Sequence, residues 1–243
     1  MQTMKTAGMI GGLGPETTAE FYLQVIEFCR RRDEIHYPPI MIFNIPFPYR
    51  LEQEIIEQNR NEEAILPFLV DGVKRLERSG ADFIVIPCNT VHFFIEELRS
   101  CVSTEILSII EEAAGECERR GHKRVGVLAT TKTVTKKIYD KELEQRGIEV
   151  INPRPEAQDN VARTIVQILR GDKSDEGKQR LLGVIEEMVG DGAEAIVLGC
   201  TDLQLLVKQK DCPVALLDTL EIFAEATARK ILGVGDTDPA DIN

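Results

Sequence analysis

The 243-residue chain sets 29 Lys and Arg against 41 Asp and Glu, a net charge of −12, and 43% of its residues are hydrophobic. This is a globular composition, long enough for one large or two small domains, and an acidic balance with no basic stripe argues against a nucleic-acid partner. No run approaches the ~18 uninterrupted apolar residues of a membrane helix, and no leader-type segment is visible. The six cysteines form no C-x-x-C pair and the histidines are only His36, His92 and His122, which argues against a Cys/His metal site. A cytoplasmic protein with reduced thiols is expected.

Along the chain, short apolar runs alternate with amphipathic, charge-rich segments, the pattern of an α/β fold with parallel sheets. Strands are predicted over 7–10, 40–43, 83–86, 124–128, 148–151, 195–198 and 214–217. Helices are predicted over 16–32, 52–79, 91–99, 111–120, 133–146, 161–170, 178–189, 203–208 and 220–232. The Gly-, Asp- and Pro-rich residues 233–243 are expected to fray.

One segment is written twice. Gly80-Ala81-Asp82-Phe83-Ile84-Val85-Ile86-Pro87-Cys88-Asn89-Thr90 aligns without a gap on Gly192-Ala193-Glu194-Ala195-Ile196-Val197-Leu198-Gly199-Cys200-Thr201-Asp202, with the cysteines 112 positions apart (200 − 88). A second echo, Ala7-Gly8-Met9-Ile10 against Val125-Gly126-Val127-Leu128, recurs at 118 (126 − 8). Two matches at similar offsets predict an internal duplication. The strand over 214–217 and the helix over 220–232 have no counterpart within the second half, so they are expected to return to the first sheet. That gives a discontinuous first domain, 1–104 plus 213–243, with 105–212 between.

Cys88 and Cys200 each end a predicted parallel strand just before a predicted helix. Ligands bind at that end of open α/β sheets, and a helix N-terminus there is expected to lower a thiol's pKa. Two thiols from two halves can serve opposite faces of one carbon. Cys29, Cys101, Cys117 and Cys212 lack this frame and read as packing residues. The loop Gly11-Gly12-Leu13-Gly14-Pro15 permits close backbone approach, with Gly12 a candidate substrate contact. Its spacing fits neither a dinucleotide fingerprint nor a Walker loop. Its equivalent, Thr130-Thr131-Lys132-Thr133, offers hydroxyls and a cation for a carboxylate. Arg50 follows the stiff Ile45-Pro46-Phe47-Pro48 and could fork onto a carboxylate; Arg170 ends a helix before Gly171. His92, four residues after Cys88, reads either as a polarising group or as a packing residue.

At these residues the chain resembles the aspartate/glutamate racemase family, the kind independent of pyridoxal phosphate, and most closely its aspartate racemase branch. The resemblance rests on Gly11-Gly12-Leu13-Gly14-Pro15 with Thr17-Thr18, on Pro87-Cys88-Asn89-Thr90 with His92, and on Gly199-Cys200-Thr201, and its pattern runs from about Met4 to Leu232. It implies two similar α/β domains with parallel sheets, related by a pseudo-twofold axis, with the active site in the cleft between them. It further implies a homodimer, no cofactor, no metal, and one catalytic cysteine from each half. An acidic amino acid would be held by Arg50, Arg170 and Gly12, by Asn89, Thr90 and Thr201 beside the thiols, and by Thr130, Thr131 and Thr133. Asp202 stands where the family commonly has glutamate. Other chemistries of the superfamily, such as hydantoin racemase, maleate isomerase or decarboxylase, are the nearest alternatives, and a non-catalytic two-domain binding protein is the alternative from another class.

Overall fold

The computed structural model describes residues 4–32, 36–56, 58 and 60–235. Eight strands form two parallel sheets of four. The first sheet holds β1 (Ala7–Gly11), β2 (Ile40–Asn44), β3 (Phe83–Val85) and β4 (Glu105–Ile106) in the order β2-β1-β3-β4. The second holds β5 (Arg124–Ala129), β6 (Glu149–Ile151), β7 (Ala195–Gly199) and β8 (Ala215–Asp218) in the same order, β6-β5-β7-β8. The helices are α1 (Pro15–Arg32), α2 (Tyr49–Ile56), α3 (Leu66–Arg78), α4 (Ile95–Cys101), α5 (Ile109–Arg119), α6 (Thr131–Thr135), α7 (Ile138–Gln145), α8 (Pro155–Leu169), α9 (Asp175–Gly190) and α10 (Thr219–Leu232).

The repeated segment folds the same way twice. Gly80 and Gly192 both turn with positive φ, +90° and +99°, a conformation glycine adopts without strain. The following acid then ties down the start of the neighbouring central strand. Asp82 accepts from the backbone N–H of Thr6 at 2.6 Å, and Glu194 accepts from that of Lys123 at 2.7 Å. A Cβ on Gly8 would lie 2.8 Å from the Cβ of Ala81, and one on Gly126 would lie 2.6 Å from Ile196 Cδ1. Gly8 is therefore needed where Ala81 packs on β1, while at Gly126 the crowding comes from the movable ends of Ile196 and Met188.

β1 and β3, and likewise β5 and β7, are neighbours whose connections leave to opposite sides, the switch-point geometry that opens a crevice at the carboxyl ends of strands. A central apolar core takes Phe21, Phe28, Ile109, Tyr139 and Phe223 together with β1, β5 and β7 residues, so both sheets contribute to it. Behind the first sheet lie Leu69, Val73, Leu76 and Leu98; behind the second lie Val161, Ile165, Leu181 and Ile185.

Four expectations are corrected. The strand over 214–217 does not return to the first sheet: β8 pairs in parallel with β7, Ala195 opposite Ala215. The first sheet is completed instead by β4, two residues too short to show a period in sequence. Only the final helix crosses back, α10 packing on α1 through Phe223 and Phe21, ring centroids 5.4 Å apart. The predicted helix over 52–79 is broken at Asn61, φ 63°, and resumes through a 3-10 turn, Glu62–Ile65, into α3 at Leu66, with Pro67 in its first turn where a missing N–H costs nothing. The one over 133–146 is interrupted at Lys137, φ 52°. After Cys200 the chain makes only the 3-10 turn Leu203–Leu205 where a helix over 203–208 was expected, whereas after Cys88 the expected helix over 91–99 is present, opening as a 3-10 turn, Thr90–Phe94, that runs into α4. Of the expected frayed tail, Gly233 caps α10 with φ +69°; residues 236–243 lie outside those described. No helix among the described residues is long and apolar enough to cross a membrane.

Candidate active site

The loops after β1, β3 and β7 meet at one cavity, whose space together with its open mouth is about 590 Å³. Its polar wall is Cys88, Thr90, Thr201 and Asp202. Cys200 is buried at the next position along, and its thiol feels the charge of Cys88. None of the six cysteines is in a disulfide.

The two thiols are held differently. Cys88 is half-buried, and its carbonyl accepts a hydrogen bond from His92 Nδ1 at 2.8 Å, while His92 Nε2 accepts from the Ile109 N–H at 3.2 Å. Both ring nitrogens are thus engaged by the backbone, and burial pushes the imidazole down to about 4, so it is neutral. His92 positions the Cys88 backbone and does not contact the thiol through these bonds. Cys200 Sγ lies 3.8 Å from Asp202 Oδ2, to which it donates, and the other carboxyl oxygen accepts from Thr17 Oγ1 at 3.3 Å. Burial first, then the Asp202 and Cys88 charges, push the Cys200 thiol well above its ordinary value. That reverses the expected lowering by a helix N-terminus, because the residue is desolvated and a three-residue turn supplies little dipole. Burial also raises the Asp202 carboxyl, against its bonds from Thr17 and Cys200.

The other expected contacts divide. Thr90, Thr130 and Thr133 form a hydroxyl cluster joining the two halves, with Oγ1 separations of 3.1 Å from Thr90 to Thr130 and 3.0 Å from Thr130 to Thr133. Thr130 also caps α6, with Thr131 at its first position. Asn89 is buried and spends its amide on structure: its Oδ1 accepts from the Tyr139 hydroxyl at 2.5 Å and its Nδ2 donates to Thr219 Oγ1 at 3.2 Å. Gly12 has φ +89°, and a Cβ there would meet the Ile45 carbonyl at 2.9 Å; its N–H donates to Thr18 Oγ1. Leu13 and Gly14 of that loop reach the cavity.

The two expected cations do not line the cavity. Arg50 has 90% of its side chain exposed and pairs with Glu54 at 3.1 Å. Arg170 caps the end of α8 at the surface, one residue beyond Leu169, which does line the cavity. The stiff loop instead delivers Phe47. The remaining wall is Leu13, Ile55, Ile65, Val91, Ile165 and Leu169. Sequence reasoning missed these apolar residues. Ile165 and Leu169, four apart at the end of α8, were the available sign of an apolar helix face reaching the cleft.

The Asp/Glu/hydantoin racemase family model matches residues 10–227. The chain is 30% identical over 232 residues to the broad specificity amino-acid racemase RacX of Bacillus subtilis (strain 168), covering 93% of this chain and 97% of that protein. Among solved structures, an aspartate racemase homologue from Pyrococcus horikoshii OT3 superposes with a TM-score of 0.75 at 32% identity, covering 95% of this chain and 98% of that one. The Picrophilus torridus aspartate racemase superposes with a TM-score of 0.72 at 27% identity, covering 94% of each chain.

Proposed function

Since the chain belongs to the Asp/Glu/hydantoin racemase family and is an isomerase of amino acids, we propose that it racemises its substrate without a cofactor, through Cys88 and Cys200 acting as a pair. The observation that carries this reading is the pair itself: two thiols at equivalent strand ends of two equivalent sheets, close enough to feel each other's charge, beside one cavity.

Inverting a carbon requires a base on one face and an acid on the other, with the two exchanging protonation states in each turnover. Desolvation and the Asp202 carboxylate favour Cys200 as the protonated partner at rest, and we assign the role of base to Cys88. Cys88 then removes the α-proton, forming a carbanion, and Cys200 delivers its own proton to the opposite face. The reverse cycle begins from the other protonation state, and the Cys200 thiol can pass its proton toward Asp202, the acceptor already aligned on it. Charge developing on the substrate carboxylate in the transition state meets the hydroxyls of Thr90 and Thr201 on the polar wall.

The test is to incubate the purified protein with one amino-acid enantiomer in deuterated water and follow the product by chiral chromatography and mass spectrometry. Inversion accompanied by one solvent deuterium at the α-carbon, lost in both Cys88→Ala and Cys200→Ala, is expected. Inversion that survives in either folded single variant would sink the two-thiol reading.

A further inference from the structure

The walls of the cavity carry information about the substrate side chain. Away from the thiols they are made by Leu13, Phe47, Ile55, Ile65, Ile165 and Leu169, drawn from the β1 loop, the stiff loop, α2, the 62–65 turn and α8. Among the described residues, no lysine, arginine or histidine lines the cavity. Of the cations in adjoining segments, Arg50 pairs with Glu54 at 3.1 Å and Lys132 with Glu62 at 2.8 Å, with only 13% of the Lys132 side chain exposed.

A second carboxylate entering this space would lose its water, gain no counter-ion and approach Asp202. A cationic side chain would lose its water for a single carboxylate, since Asp202 is the only one in the wall among the described residues and already accepts from Thr17 and from the Cys200 thiol. An apolar side chain removes its own surface and that of the wall from water at once. The polar side of the cavity, Thr90 and Thr201, is left for the carboxylate that every amino acid shares. Resting on the racemase reading above, we propose that this site selects amino acids with an uncharged, apolar side chain, of the leucine or methionine kind, over aspartate, glutamate and lysine.

Two measurements on the full chain test this. Racemisation of L-leucine, L-methionine, L-aspartate, L-glutamate and L-lysine gives kcat/KM for each, and calorimetry with the Cys88→Ala/Cys200→Ala double variant gives binding of the same five without turnover. Leucine or methionine should exceed the three charged amino acids by about tenfold or more in both. Any charged amino acid equal to or above leucine in either measurement overturns the assignment, as does failure of all five to bind. Binding that ranks as expected with no racemisation of any would instead overturn the racemase reading and leave the side-chain preference standing. Leu169 is 40% exposed, so Leu169→Lys keeps the fold and places a cation at the wall. It should move the aspartate-to-leucine ratio about tenfold or more toward aspartate; an unchanged ratio would remove Leu169 from the side chain's path and overturn the proposal.

Discussion

At the end of β3, Cys88 is half-buried, lines the cavity and has its carbonyl gripped by a neutral histidine. At the end of β7, Cys200 is buried, and its thiol is aligned on a carboxylate that is itself held by a hydroxyl from the other half. The two ends begin from one repeated sequence frame, yet one is braced through its backbone and the other through its sulfur. The shared frame places the thiols, and the residues that differ at the third and fifth positions of the stretch starting at each cysteine, Thr90 against Asp202 and His92 against Gln204, set their unlike environments. A duplicated scaffold thereby supplies an unequal acid and base, the condition a two-thiol inversion needs.

The largest break in this comparison is removal of either thiol. Cys88→Ala and Cys200→Ala should each lower racemisation by about 10³-fold or more, while circular dichroism shows the fold retained. Next is the carboxylate peculiar to the Cys200 end. Asp202→Asn removes a negative charge that raises the Cys200 thiol, so alkylation of Cys200 in the Cys88→Ala background should begin at lower pH. The same change in the parent should slow turnover by about 10- to 10²-fold. An alkylation profile that stays in place would detach Asp202 from the thiol.

The brace at the Cys88 end predicts a pH effect on stability. His92 titrates near 6.5 when unfolded and at about 4 in the fold. Between those values the unfolded chain binds the extra proton, so stability falls as pH drops from about 6.5 to 4, by about 3 kcal/mol at most. Asp218 works against it: burial raises its carboxyl to about 6 in the fold, so the folded chain binds the extra proton over a similar range. The comparison of parent with His92→Gln isolates the histidine, and the variant should lose that acid-side decline in urea titrations; identical slopes would refute the buried neutral imidazole. The smallest effect belongs to the hydroxyl cluster across the halves. Thr90→Val deletes its bond to Thr130 and should cost about 1 kcal/mol in the same titrations.

Much of the architecture was legible because it is periodic or repeated. Seven of the strands announce themselves as apolar runs between turn signals, and the duplicated cysteine frame marks β3, β7 and both thiols. β4 was hidden because two residues, one of them the exposed Glu105, carry no pattern. The breaks in the long helical segments were hidden because left-handed Asn61 and Lys137 are stable only where surrounding packing holds them. The placing of Cys88 and Cys200 beside the cavity was readable from chain position, whereas Thr130, Thr131 and Thr133, expected to hold substrate, do not line it. The use of Asn89 was not readable, because its partners Tyr139 and Thr219 lie 50 and 130 positions away.

By itself, then, the sequence determined two α/β halves with a thiol after one inner strand of each, since strand period and turn chemistry are encoded within a few neighbouring residues. Tertiary structure decided that β8 stays with the second sheet while α10 crosses to the first half, that Arg50 turns to Glu54 and solvent, and that apolar faces of α2 and α8 close the cavity. Each of those apolar faces looks like ordinary core when its segment is considered alone. Which of them is buried against a neighbour and which is left facing the cleft depends on how distant segments meet, and no local pattern carries that choice.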